Sequence, residues 1–324
     1  MIALALPLAL RHRPLRPSDA ATWAELLAAA EAVDRLGRHY DAQDCALELA
    51  DPDLDHERDA VLVLDGDRPV ACQVLWVRGP VGEQVVEADG VVHPDHRGRG
   101  IGTALVGVAR DRAVELGARL DVRVAESMPA AVAMAERSGL VPVRWWSELR
   151  RDLAAPVVAP PVPEGVELHM LGPDYDGARW DRALCTARNA SFADHFGSVP
   201  DELETFVHHR TANRNFRSEC SIAARTPDGV VVGFVLCEEF AAATARTGRR
   251  DLYVDTVGTV PSWRGRGLAA ALLARVLGRA RELGYASSSL TVDATNPTGA
   301  LGVYGRAGYV LHRRDVTYAL PQAG

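Results

Sequence analysis

The chain of 324 residues reads as two tandem three-layer α/β/α domains, each on a mixed, mostly antiparallel central sheet. Three observations predict this. The stretch HPDHRGRGIGTALV at 93–106 returns as VPSWRGRGLAAALL at 260–273, an offset of 167 residues. A proline-rich stretch separates the two copies. Within each copy, short strand-like runs alternate with amphipathic helical runs, the order that lays helices on a sheet.

The register of the repeat holds beyond the loop. Pro94 and Pro261, Arg97 and Arg264, Gly98 and Gly265, Gly100 and Gly267 coincide, and Glu115-Leu116-Gly117 falls on Glu282-Leu283-Gly284. A repeat this long marks a duplicated domain, not a solenoid of short units. Between the copies lies DLAAPVVAPPVPEG, residues 152–165, which holds four of the 19 prolines. Proline removes donors and favours extended chain, so this predicts a semi-rigid linker between domains 1–151 and 166–324.

In the second copy, GVELHML predicts a strand, and 175–192 and 200–211 predict helices. ECSIAAR, GVVVGFVLCEEF and RDLYVDTVGTV follow as strands, separated by TPDG and by a Gly/Arg stretch. Next come the RGRG loop, a helix over 267–284, the strand SSSLTVD, a helix from about 297 and a last strand from Tyr309. The long helix carries Leu268, Leu272, Val276, Ala280 and Leu283 on one stripe; its partner carries Ile101, Leu105, Ala109, Ala113 and Leu116.

Composition narrows the function. Apolar residues make up 48% of the chain, the net charge is −7 and the pI about 5.8. That excludes a disordered chain and disfavours a generally basic nucleic-acid binder. All 36 basic side chains are arginine. The five cysteines form no CxxC pair, which predicts reduced thiols in a cytoplasmic protein and no zinc or disulfide framework. The start, MIALALPLALRHRP, has its basic residues after the apolar run and predicts an opening strand. No run of about 18 apolar residues is present, so no membrane span is expected. His208 and His209 are consecutive on a helix and point to different faces, which argues against a shared metal.

Glycines at a strand-to-helix junction let the backbone turn sharply and a ligand come close. The helix start offers unpaired N–H groups and partial positive charge, and arginines add bidentate charge recognition. The local chemistry is that of a pyrophosphate site. Gly265-Arg-Gly267-Leu-Ala-Ala270 also fits GxGxxA, with Asp293 at the end of the next strand. Two features oppose that dinucleotide reading. Pro261–Arg264 intervene between strand and glycine, and the first copy breaks the third position at Thr103. No Walker loop is present.

The form common to both copies is Arg97-Gly-Arg-Gly100-Ile-Gly102 and Arg264-Gly-Arg-Gly267-Leu-Ala269. With LTVDATNPTGALGVYGRAGYV in the second copy, the chain resembles the GNAT superfamily of acyl-CoA-dependent N-acetyltransferases over residues 10–151 and 165–320, and among them the tandem members. The resemblance implies two GNAT-like domains and acetyl-CoA as cosubstrate. Backbone amides of Arg264, Gly265, Arg266, Gly267, Leu268 and Ala269 would cradle the pyrophosphate. The pantetheine arm would run along the strand at Val257, Thr259 and Val260, held by Asn296, with Gly258 helping to bulge the edge. In the first copy Val92, Arg97, Gly98, Arg99, Gly100, Ile101 and Gly102 take the corresponding places.

Acyl transfer from a thioester needs a neutral amine, an oxyanion donor and an acid for the departing thiolate. Tyr304, eight residues after Asn296, matches the family's acid. Asp255, on the strand face expected to hold Tyr253 and Val257, is the candidate base, with Glu238, Glu239 and Asp293 competing. The segment NASFADHFGSVPDEL places His195 and Phe196 toward the acceptor, and Glu238 hints at an acidic pocket. When Ser138-Gly139-Leu140 is aligned with Ala307-Gly308-Tyr309, Ala135 stands where the second copy has Tyr304, and Asn296 has no asparagine counterpart. The first copy is therefore expected to bind coenzyme A or only to pack, and the second to catalyse.

These readings predict a metal-free enzyme, monomer or homodimer, with no nucleic-acid or membrane partner. It would transfer acetyl from acetyl-CoA to a small-molecule amine, a natural-product precursor among the candidates, in a ternary complex. The alternative is an acyl-CoA-binding regulatory or scaffold protein.

Overall fold

Each long helix lies between two parallel strands, and this single crossover per unit organises the sheets. The computed structural model describes residues 10–195, 198–295 and 299–321. Unit 1 comprises residues up to Trp146 and the segment from Arg314; unit 2 comprises Ser147–Arg313.

Unit 1 contains β1 (Leu10–Pro14), α1 (Ala20–Asp34), α2 (Ala42–Leu49), α3 (His56–Asp59), β2 (Ala60–Asp65), β3 (Arg68–Arg78), β4 (Val85–Val92), α4 (Ile101–Leu116), β5 (Arg119–Ala125), α5 (Pro129–Arg137) and the start of β6 (Val141–Asp152). Unit 2 holds β7 (Glu167–Met170), α6 (Gly177–Phe192), α7 (Leu203–Phe206, continued by a π-turn over Val207–Thr211), β8 (Ile222–Arg225), β9 (Val231–Glu238), α8 (Ala241–Thr247), β10 (Asp251–Thr259), α9 (Leu268–Glu282), β11 (Ser287–Asp293), α10 (Ala300–Arg306) and the start of β12 (Val310–Ala319).

The strand order is β1-β2-β3-β4-β5-β12 in unit 1 and β11-β10-β9-β8-β7 in unit 2. Only β4–β5 and β10–β11 are parallel among these pairs; the rest are antiparallel. The sheets are thus mixed and mostly antiparallel, as expected. The helical stripes also behave as the periodicity predicts: Leu268, Leu272, Val276 and Ala280 are buried, as are Ile101, Leu105, Ala109 and Ala113.

Three local features differ from the sequence reading. The second half of β12 pairs with β5, from Asp315↔Ala125 to Ala319↔Asp121, because Val316 and Tyr318 bury in the core of unit 1. The segment 152–165 lies along unit 2: Leu153 and Val157 pack on its core, and Arg151 donates to the Pro156 carbonyl at 3.0 Å. The separator after β9 folds partly as α8, whose alanines favour helix over loop.

The decisive feature is where the parallel pairing stops. β10 is registered with β11 only at Asp251↔Ser287, Leu252↔Ser288 and Tyr253↔Ser289. The residues Val254–Thr259 continue beside β9 without a β11 partner among the registered pairs. In unit 1 the β4–β5 pairing likewise covers only Val85–Ala88.

Unit 2 adds a bulge. The β9–β10 register runs Tyr253↔Glu238, Val254↔Cys237, then Thr256↔Leu236, so Asp255 is the extra residue. One inserted residue reverses the alternation of faces. Val257 therefore faces away from Tyr253 and packs with the α9 cluster, not beside it as expected. Gly258 then falls opposite Phe234. It does not form the bulge; it clears space, since a Cβ there would lie 2.3 Å from the Phe234 ring.

At the end of β9, Glu239 ties several elements together. It accepts from Arg250 Nη2 at 2.8 Å, Tyr285 Oη at 2.8 Å, Thr244 Oγ1 at 3.1 Å and Arg217 Nε at 3.3 Å. Burial raises its pKa, but the bonds from Arg250 and Tyr285 outweigh burial and leave it at about 2. Glu239 is thus a buried structural carboxylate, which removes it from the candidate bases.

Two stability measurements check this account. Gly258→Ala should lose about 2 kcal/mol in urea unfolding, because the added methyl overpacks Phe234, and Phe234→Leu should restore part of the loss. Glu239→Gln should lose about 2–3 kcal/mol at pH 7. The folded pKa lies below the unfolded value, so the Glu239 contribution is complete above about pH 4 and fades as pH falls toward 2. The gap between wild type and variant should therefore narrow below about pH 4.

Candidate active site

The two glycine loops have the same backbone. Each passes through a 3-10 turn, Pro94–His96 or Pro261–Trp263, and an extended arginine, Arg97 or Arg264. Gly98 and Gly265 then take φ of +75° and +74°, and Gly100 and Gly267 both +83°. A Cβ on any of the four would find nothing within 4 Å. Conformation, not space, requires glycine here. Both helices begin without a side-chain cap, and the first-turn bonds run from Ala271 to Gly267 and from Ala104 to Gly100. Uncapped amides at the positive end of a 15- or 16-residue helix suit a diphosphate.

The arginine side chains do different work from the expectation. The Arg264 guanidinium grips Asp194 bidentately, at 2.6 and 3.0 Å, and also donates to the carbonyls of Ser191 at 2.9 Å and Thr259 at 3.3 Å. Arg97 grips Asp34 at 2.6 and 2.7 Å and donates to the Val92 carbonyl at 3.2 Å. Arg266 stacks over Trp263, 4.6 Å from the ring centroid. Arg99 meets Asp65 at 3.1 Å and His96 at 2.7 Å. With Arg97, Arg99 and Arg264 bound to protein carboxylates, the backbone amides are the groups these loops leave for an anion.

The remaining expected cosubstrate residues frame the same loops. Leu268 and Ile101 are buried in the cores, anchoring the helix starts, while Ala269 is half-buried. Gly102 lies near Met134. The Val260 amide donates to the Val232 carbonyl at 3.0 Å, which closes the strand end. Thr259 has a buried Oγ1 with no hydrogen-bond partner among the described residues. Asn296 and Phe196 lie outside the described residues.

The expected acid and base stand near the fork between β10 and β11. Tyr304, on α10, is buried, with its ring edge-on to Tyr309 at 6.0 Å. Burial pushes its phenol pKa up, and the nearby Tyr253 adds to the shift. Tyr253 is the last β10 residue paired with β11, so Tyr304 senses the point where the strands part. The Asp255 oxygens accept from Arg210 Nη1 at 3.0 Å and from Thr256 Oγ1 at 2.6 Å. Asp255 is therefore engaged in an ion pair and is not a free base.

Arg210 is the centre of this cluster. Asp255 is the largest influence holding its charge, ahead of burial, with Glu238, Asp201 and Tyr253 contributing. Glu238 is buried and accepts from Asn213 Nδ2 at 3.3 Å. The His195 ring packs tilted against Phe192, with centroids 4.6 Å apart, and burial lowers its pKa, favouring the neutral form. Asp293 accepts from the amide and hydroxyl of Thr295 at 2.9 and 3.0 Å, a turn role. Sequence reasoning missed Arg210, Asp194 and the proximity of Tyr253 to Tyr304. An arginine in an irregular helix carries no local sign of the carboxylate it will meet.

Unit 1 keeps the loop without this chemistry. Ala135 is buried where the alignment puts the tyrosine's counterpart, and β4 pairs with β3 unbroken from Val85 to Val92, with no bulge. All five cysteines are free and buried. Burial pushes the Cys237 thiol well up, unsuited to a nucleophile. Among the described residues no cluster of His, Cys, Asp or Glu could hold a metal, and no helix is long and apolar enough to cross a membrane.

Comparison with known proteins agrees with this geometry. The family model "Acetyltransferase (GNAT) family" matches residues 22–140 and 184–309, one region for each copy. The mycothiol acetyltransferase of Frankia casuarinae is 32% identical over 295 residues, covering 87% of this chain and 83% of that protein. The mycothiol acetyltransferase of Streptomyces coelicolor is 31% identical over 316 residues, covering 94% and 96%. Among solved structures, a GCN5-related N-acetyltransferase from Sphaerobacter thermophilus superposes with a TM-score of 0.71 at 30% identity, covering 98% of each chain. A tandem GNAT protein from the clavulanic acid biosynthesis pathway shares the fold, with a TM-score of 0.70 at 20% identity over 97% of this chain and 100% of that one. With both copies matched and near-complete relatives above 30% identity, the chain belongs to the GNAT family of acetyltransferases.

Proposed function

We propose that unit 2 transfers an acetyl group from acetyl-CoA to the amine of a small molecule by direct attack in a ternary complex. The observation that carries this reading is the early end of the β10–β11 pairing, beside Tyr304 and upstream of the uncapped α9. The residues fit the cosubstrate. The α9 amides suit its diphosphate, and the β10 backbone beyond Tyr253 has hydrogen-bonding groups on the side that β11 has left. The acetyltransferase relatives support acetyl as the group transferred.

Acetyl-CoA supplies the activated acyl group as a thioester. The amides from Arg264 to Ala269 hold its diphosphate, and Val257, Thr259 and Val260 lie on the strand that guides its arm. Tyr304 donates a proton toward the departing sulfur; its raised pKa keeps the phenol protonated and ready to give. Glu238 and Asp255 bring negative charge to the acceptor face and attract an ammonium. Because Arg210 occupies Asp255, the amine's proton leaves through water ordered by these carboxylates.

The first unit keeps the anion-binding loop and lacks tyrosine, bulge and Asp255, with Ala88 at the 167-residue offset. That favours a binding role without chemistry for unit 1.

Release of free thiol from acetyl-CoA across an amine panel, with mass spectrometry of the product, tests the whole reading. Tyr304→Phe should lower kcat about a hundredfold while leaving the KM for acetyl-CoA within about twofold. A fully active variant would remove Tyr304 from the mechanism. Because the phenol's pKa lies above its ordinary value near 10, the wild-type kcat should show no loss attributable to Tyr304 below about pH 10. An alkaline limb near pH 9 that vanishes in Tyr304→Phe would contradict the assignment.

A further inference from the structure

The opening arginine of each glycine loop is held by the protein, through four hydrogen bonds at Arg264 and three at Arg97. Four hydrogen bonds leave the Arg264 guanidinium: two to Asp194, one to the Ser191 carbonyl in α6 and one to the Thr259 carbonyl at the end of β10. That engages four of the five N–H donors of a guanidinium. The side chain thus joins the last residue of the opened strand, the entry of the loop and the C-terminal end of α6.

Unit 1 repeats the device with different spacing. Arg97 binds Asp34, the last residue of α1, and the Val92 carbonyl at the end of β4. The loops are offset by 167 residues, but Asp34 and Asp194 are offset by 160. The copies have diverged by seven positions between helix and loop, yet the same bidentate contact closes in both.

We propose that Arg264 is a positioning residue whose clamp on Asp194 pre-sets the α9 amides for acetyl-CoA without itself contacting the diphosphate. The physical reason is entropy. Two glycines at positive φ give the loop wide freedom, and a ligand that must order it binds less tightly. Anchoring Arg264 to a strand end and a helix end removes that freedom before the ligand arrives. The Asp194 carboxyl is held at about 2 by the hydrogen bond from Arg264, so the clamp is ionised at neutral pH. Asp194 is largely exposed, so the contact can be cut without opening a core.

The proposal rests on the acetyl-CoA reading and is tested on the full chain with Asp194→Ala, Arg264→Ala and the double variant. Each single change should raise the KM for acetyl-CoA about tenfold and leave kcat within about twofold, and the double should be no worse than either single. Amide hydrogen exchange over 264–270 in the ligand-free protein should be faster in Asp194→Ala. If Arg264 instead touches the diphosphate, Asp194→Ala would leave the KM unchanged or lower while Arg264→Ala raises it, and the proposal fails. Additive effects, or exchange unchanged by Asp194→Ala, would also overturn it. A wild type without thiol release, but with exchange faster in the variant, would support the clamp and overturn the cosubstrate assignment.

Discussion

Parallel strands β10 and β11 pair for three residues and then part, and the acetyl-CoA site proposed for unit 2 depends on that early end. Buried backbone groups ordinarily find partners within the sheet. A strand that keeps its β9 neighbour while the β11 pairing ends leaves its outward amides and carbonyls without a β11 partner among the registered pairs. Tyr304 lies near Tyr253, the last paired residue, and α9, which follows β10 in the chain, begins without a side-chain cap. A long ligand with a polar arm and an anionic end, as proposed, would meet donors and acceptors at each of these places.

The bulge at Asp255 turns the open strand to use. Its extra residue sends Val257 into the α9 core and brings Gly258 over to Phe234, so the strand presents different side chains before and after the fork. Asp255 is held by Arg210 and by its own neighbour Thr256, which makes it part of a charge cluster with Glu238 and Asp201. A half-buried arginine among several carboxylates fixes geometry as well as charge, since removing one member leaves the others unbalanced.

The two copies separate scaffold from chemistry. Both keep the glycine conformations, the uncapped helix, the truncated parallel pairing and the arginine–aspartate clamp. Among the described residues the bulge at Asp255 and the buried Tyr304 have no counterpart in unit 1, where β4 pairs unbroken and Ala135 stands at the aligned position. Conformational demands of the loop are local and survive duplication.

Local physics made much of this protein legible in the sequence. Glycines needing positive φ and a 3.6-residue apolar stripe on α9 act over a few turns of chain and recur at a 167-residue offset, so spacing revealed the duplicated loop and the helix behind it, and the resemblance of their motifs pointed to the family. Other features were decided only in three dimensions. Which face Val257 takes depends on one bulged residue opposite Cys237 and Leu236; where β12 ends depends on the core that receives Val316 and Tyr318; what Arg264 and Arg210 bind depends on carboxylates 70 and 45 residues away. Pairings across that distance leave no periodic trace, because the chain between them sets no rule for which residues will meet.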